Sequence, residues 1–254
     1  MPTVAAAYAE QRRALERRLA DHLPAARAAA IAAHVRDAIA IHPRAATERD
    51  LAVGASRLGG APDLPPGATW PSNADGDLQF VAQLRLEQLA ELDVHRRLPA
   101  RGLLSVFGGF RSDHDSACEG RVLLHADVAG LAPRQPPGRP AAAPVGVEFA
   151  PRALLPPHSS VLVPRPGAAD PYHALYDDHY RVSRDDAESF HGLFGFARPG
   201  EDEQRADEEL LLRLDADAEA YDMVEAACAC FFVPRADLAR GDFSRARMYE
   251  GATH

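Results

Sequence analysis

The spacing of apolar residues changes character along the chain. Between residues 4 and 23, Val4, Tyr8, Leu15, Leu19 and Leu23 fall near one helical face, with arginines and acids between them, which predicts an amphipathic helix. Pro24 suits the first turn of a second helix, read here as running toward Asp37. From Ala38 onward the pattern becomes short and alternating. In LQFVAQLRL, residues 78–86, Leu78, Phe80, Ala82, Leu84 and Leu86 face one way and Gln79, Gln83 and Arg85 the other, as in a half-buried strand. A short helix over 87–95 follows. LLSVF (103–107), RVLLHADV (121–128), GVEF (146–149), SVLV (160–163) and CACFFV (228–233) read as further strands.

The stretch GLAPRQPPGRPAAAPVG, from 130 to 146, has five prolines and little to bury, so it reads as a linker or long exposed loop. Features repeat on its two sides. LRLE at 84–87 returns as LRLD at 212–215, each closing an apolar strand and each followed by an Ala- and acid-rich segment. A second apolar strand follows in both halves, and LGGAP at 58–62 has a loose echo in LFGFARP at 193–199. Three features in the same order point to an internal duplication. The expected organisation is N-terminal helices over 1–37, a first half over 38–129, a linker or loop over 130–145 and a second half over 146–254. The fold class is α+β, duplicated, with mainly antiparallel β-sheets in two related subdomains.

Composition narrows the chemistry. The hydrophobic fraction is 46% and the charged fraction 26%, as in an ordinary globular protein. All 28 basic residues are arginine. Without lysine there is no Schiff-base nucleophile and no P-loop lysine for a nucleoside triphosphate. The net charge of −9 repels nucleic acid and anionic membrane and favours a basic partner. No cationic head precedes an apolar stretch at the start of the chain, and no apolar run approaches membrane-spanning length. With three cysteines, Cys118, Cys228 and Cys230, the expected compartment is the reducing cytoplasm.

Metal and nucleophile motifs are weak. Cys228 and Cys230 lie two apart on a strand, so their thiols share a face, but no second pair completes a zinc ribbon; they read as small core residues. DHDSACE (113–119) and DPYHALYDDHY (170–180) hold His114, Asp115 and Cys118, and His173, Asp177 and His179. A helical second segment would put His173 and Asp177 on one face. Neither segment matches a named ligand motif, so both read as solvated polar loops and no metal or other cofactor is expected. The acidic run at 201–209 reads as a solvated face. GASRL around Ser56 lacks the second glycine of a nucleophile elbow. The only tryptophan, Trp70, lies among prolines in SRLGGAPDLPPGATWP, residues 56–71. Two roles are open for it: a plug at the core edge, or an aromatic anchor for a partner.

SRLGGAPDLPPGATWP, LQFVAQLRLEQL and LPARGLLSVF, with FAPRALLPP, HGLFGF, ELLLRLDADAE and GDFSRARMYEG later, resemble the YwqG-like family, mainly bacterial proteins. The resemblance spans roughly residues 38–250. It implies a duplicated α+β fold whose two subdomains are intertwined, and it brings no activity with it. Some relatives look like immunity or antitoxin components. Arg213 stands where the family tends to have Gln, and VEAACAC where it has a Trp-Gly-Asp-like segment. The leading expectation is therefore a non-enzymatic binding protein of immunity type, partnered by a basic protein such as a toxin domain. The alternative is a small-molecule-binding protein or enzyme with a cleft between the halves, using Arg57, Gln83, His191 and Arg213.

Overall fold

The structure, a computed structural model, describes residues 3–110, 117–138, 140–158, 160, 162–163, 170–182, 191–197, 205, 207–215 and 228–251. Helix α1 (Val4–His22) starts at Thr3, whose hydroxyl accepts from the Ala6 amide at 3.2 Å, and it buries Tyr8, Leu15 and Leu19. Helix α2 (Ala25–Ala32) ends sooner than the sequence predicts, and Asp37 lies instead in a ten-residue strand, β1 (Arg36–Ala45). The alanine-rich segment favours helix locally, but a full-length ladder with a later strand overrides that weak preference.

The first half continues with β2 (Arg57–Leu58), β3 (Asp63–Leu64), β4 (Ser72–Asn73), β5 (Gly76–Asp77) and β6 (Gln79–Arg85). Helix α3 (Leu86–Leu89), strands β7 (Leu103–Gly108), β8 (Ala117–Cys118) and β9 (Gly120–His125), and β10 (Ala132–Pro133) follow. The second half opens on β11 (Val145–Leu154) and helix α4 (Pro171–Val182), then β12 (Gly192–Leu193) and β13 (Glu208–Asp215). It ends with β14 (Cys228–Pro234), α5 (Arg235–Leu238) and β15 (Arg247–Gly251).

Among the described residues, eleven strands form one sheet, in the order β8-β15-β14-β13-β12-β1-β11-β2-β6-β7-β9, with every described pairing antiparallel. Two small two-stranded sheets, β3–β10 and β4–β5, lie beside it. The long strands β1 and β11 pair at the centre. Each bonds on its other side to a short strand of the opposite half, β1 to β12 and β11 to β2. The two end strands, β8 and β9, are separated only by Glu119, so the sheet curls until its ends meet. Gly120 permits that closure: a Cβ there would lie 2.9 Å from the Met248 Cβ.

The enclosed face holds the main core, with Ile39, Leu84, Val106, Leu212, Phe231 and Met248 among its buried members. Burial of each such side chain contributes roughly 1.5–3 kcal/mol. The other face carries separate small cores. Under α1, α2 and α4 lie Leu19, Ile31, Ala153 and Tyr172. Trp70, Leu78, Phe80 and Phe107 pack over the β6–β7 side, and Leu210, Cys228, Cys230 and Phe232 over the β13–β14 side.

Two sequence expectations change here. The apolar residues of 78–86 do not share a face. A bulge between Phe80 and Ala82 inserts Val81, so Leu78 and Phe80 join Trp70 while Ala82, Leu84 and Leu86 join the main core. Ser160, Leu162 and Val163 of SVLV are not in a strand: Ser160 and Val163 donate backbone bonds to Pro157 and Ser160, and the Ser160 hydroxyl accepts from the Leu162 amide at 3.1 Å. Such local bonds fold the segment into turns. The helix expected over 87–95 is reduced to Leu86–Leu89 with turns beyond it. The proline-rich stretch is partly fixed, since β10 pairs with β3 and the Ala142 carbonyl accepts from the Gly60 amide.

Candidate functional site

The sequence-predicted polar residues gather into two buried hubs outside the main core. In the first, β2 and β6 are adjacent with Arg57 opposite Gln83. Arg57 is 1% exposed, and its guanidinium donates to Glu48 Oε2 at 3.0 Å, Asp63 Oδ2 and the carbonyls of Ala52 and Ala61. Asp63 is fully enclosed, and its Oδ2 also accepts from the Gly54 amide at 2.7 Å and Gln83 Nε2 at 2.6 Å. Gln83 returns its Oε1 to the Asp63 amide and gives Nε2 to the Ala55 carbonyl. Glu48 Oε1 accepts from the Ala61 amide. This explains one glycine of the LGGAP turn. Gly60 has φ +74°, and a Cβ would come 2.6 Å from Glu48 Oε1.

The second hub lies on β12 and β13, where Arg213 is opposite Gly192. Arg213 donates Nε to Asp215 Oδ1 at 2.7 Å, Nη2 to Asp215 Oδ2 at 3.1 Å and Nη1 to the Phe196 carbonyl. Burial opposes its charge, but Asp215, through charge and hydrogen bonding, more than offsets this, and the pKa of Arg213 lies above its ordinary value. His191 is 3% exposed, and its Nδ1 accepts from the Asp215 amide at 3.3 Å. Across the next pairing Arg213 faces Cys230, whose sulfur lies 3.9 Å from that of Cys228, both buried.

Between the hubs run β1 and β11, covered by the helical layer: Gln11 bonds the Pro151 carbonyl and the Ala153 amide. Trp70 belongs to neither hub. It is 7% exposed, donates its indole N–H to the Leu78 carbonyl at 2.8 Å and meets Phe107 edge-to-face at 5.4 Å. Ser56 is also engaged, accepting from the Arg85 amide and bonding Gln88.

The residue-matching model of the DUF1963 family, a domain of unknown function, covers residues 56–250. The chain belongs to the DUF1963 family. No curated protein matches it. The DUF1963 match takes in Arg57, Asp63, Gln83, His191, Arg213 and Asp215, while Glu48 and the central strand β1 lie before it.

The histidine-bearing segments separate. His114 and Asp115 lie outside the described residues, and Cys118 sits in β8 opposite Met248. The segment is helical from Pro171, in α4, and His173 Nε2 lies 3.9 Å from Asp177 Oδ2. His179 is on the buried side of that helix, where burial first, then Arg152 and Arg18, push its pKa down to about 3. The third member of a ligand-like group is His158, from the turn after β11; among the described residues, His158, His173 and Asp177 bring one donor atom each within 4.8 Å of one another. Glu208 and Glu209, at the end of the acidic run, are drawn into β13, with Glu209 paired to Arg97 and Arg235.

Sequence reasoning did not single out Asp63, Glu48, Asp215 or His158. The aspartate of GGAPDLPP stands six residues from Arg57, but no spacing rule announces a bond that only the turn closes.

Proposed function

We propose that this DUF1963 protein is a non-enzymatic cytoplasmic binding protein of the YwqG-like kind, acting as an immunity-type module toward a basic protein partner. The supporting observation is the use made of Arg57, Gln83, His191 and Arg213. Each is buried and hydrogen-bonded to the protein's own carboxylates or backbone, so the groups a cleft would need are engaged in holding loops and strands. A net charge of −9 suits fast association with a basic partner. The buried thiols of Cys228 and Cys230 suit a reducing compartment.

The same reading includes an ancient duplication with exchanged first strands. Each half begins with a ten-residue strand, β1 or β11, which pairs with the short strand of the other half. Outward from that centre, β2, β6 and β7 correspond to β12, β13 and β14. Both β6 and β13 carry a bulge, at Val81 and Leu211, and counting from the bulges makes Gln83 the counterpart of Arg213 and Phe107 that of Phe232. After β2 and β12 the chain takes the same left-handed turn, with φ +62° at Gly59 and at Phe194. A phenylalanine there is strained by roughly 1 kcal/mol or more, so the turn is kept despite the residue. On this correspondence LRLE and LRLD are two residues out of step, which preserves the facing of the side chains and explains why they still look alike.

The experiment is affinity capture on the purified protein, paired with thermal unfolding against a metabolite panel. A basic partner retained at low salt and released as salt rises is the expected result. A midpoint increase with a metabolite, abolished in His191→Ala or Gln83→Ala, would overturn the reading in favour of a ligand-binding cleft.

A further inference from the structure

We propose that His158, His173 and Asp177 form a binding site for a divalent first-row transition ion, zinc by its ligand chemistry, which ties the turn after β11 to helix α4. The three donor atoms lie within 4.8 Å of one another, close enough for small side-chain rotations to bring them around one ion. Two imidazoles and one carboxylate suit zinc and its neighbours, whereas calcium and magnesium call for oxygen. His173 and Asp177 are one helical turn apart, an arrangement that lets one helix present two ligands side by side.

The backbone that carries these groups is fixed independently of any ion. Tyr172, fully buried beside His173, donates its hydroxyl to the Pro156 carbonyl at 2.6 Å, joining the start of α4 to the segment that bears His158. Asp170 accepts from the Tyr172 amide at 3.0 Å and is held by the Arg27 guanidinium from α2. The His158 and His173 rings are 3.9 Å apart, and Tyr176 packs edge-on to His158 at 5.3 Å. His158 Nδ1 is buried and has no hydrogen-bond partner among the described residues. An orphaned imidazole nitrogen is costly unless something occupies it, and an ion would do so. His173 is exposed and Asp177 half-exposed, so the ion would keep coordination positions open to water or to an outside donor.

The test is equilibrium dialysis of the full chain against zinc, with bound metal counted and thermal unfolding followed in parallel. The wild type is expected to take up one equivalent at micromolar zinc and to melt higher with it. His158→Ala, His173→Ala and Asp177→Asn should each weaken binding roughly tenfold or more and lose the melting shift, since a direct ligand matters at least as much as the groups behind one. Magnesium should produce no shift. Asp177→Asn is isosteric and changes a half-exposed side chain, so it reports on binding even if His158→Ala fails to fold. The proposal is overturned if the wild type takes up no stoichiometric zinc, if the three variants bind as tightly as it does, or if magnesium serves equally well.

Discussion

The two hubs lie on opposite sides of the central β1–β11 pair and solve the burial of an arginine differently. In the first, the cation is on the short strand β2, and its partners come from four other places: the turn holding Glu48, the carbonyls of Ala52 and Ala61, Asp63 in β3, and Gln83 in β6 through that aspartate. In the second, cation and anion are Arg213 and Asp215, two residues apart on one strand. A distributed network makes a loop rigid because each partner positions the next. A pair within one strand neutralises a charge and leaves its surroundings free to differ: Arg213 lies between Gly192 and Cys230, whereas Gln83 lies between Arg57 and Ser105.

This difference should show in stability. Asp63→Ala strips an acceptor from Arg57, Gln83 and the Gly54 amide at once. It should cost about 3–5 kcal/mol in chemical denaturation, or prevent folding, because a buried cation loses its fully enclosed partner. A loss below about 1 kcal/mol would mean that the network is not a unit.

Asp215→Ala should cost less, about 2–3 kcal/mol, since it strips an acceptor from the Arg213 side chain alone rather than from three donor groups. Replacing both members, Arg213→Met with Asp215→Leu, should restore at least about 1 kcal/mol of that, because no unpaired charge is left. A double variant less stable than the single one would show that the second hub is as interconnected as the first.

The smallest effect concerns acid. Asp237, in α5 beside β14, is held below the usual carboxylate range by hydrogen bonding from Arg245, then by the charges of Arg245 and Arg240. A depressed folded pKa stabilises the protein above the ordinary carboxylate pKa, and that contribution fades as pH falls through the folded value. Asp237→Asn should therefore melt lower at neutral pH and lose less on acidification than the wild type, as thermal unfolding across pH 3–7 would show. Parallel curves for the two proteins would remove Asp237 from the acid response.

The sequence also bears on the hubs unequally. Arg57, Gln83 and Arg213 lie in motifs legible in the sequence, SRLGG, LQFVAQLRL and ELLLRLD, where each is a polar group that a cleft could use. Asp63 and Glu48 carry no such mark, because a carboxylate in a Pro- and Gly-rich turn looks like any solvated one until the turn folds back on β2. His158 follows two prolines in a segment with no ligand spacing to either α4 residue.

What the sequence determined by itself was local and periodic: the helix at the start, the strands β6, β7 and β14, and the change between helical and alternating patterns, all set by the facing of consecutive side chains. Strand β1 escaped it, as did the early end of α2, because a run of alanines is settled by its partner, here the ladder with β11. Two single-residue bulges redirected side chains that strict alternation would have placed on one face. Trp70 shows both levels at once. Its prolines fixed a rigid, irregular segment, and only the packed sheet supplied Phe107 for its ring and the Leu78 carbonyl for its N–H, because those partners meet it through chain folding that no local pattern encodes.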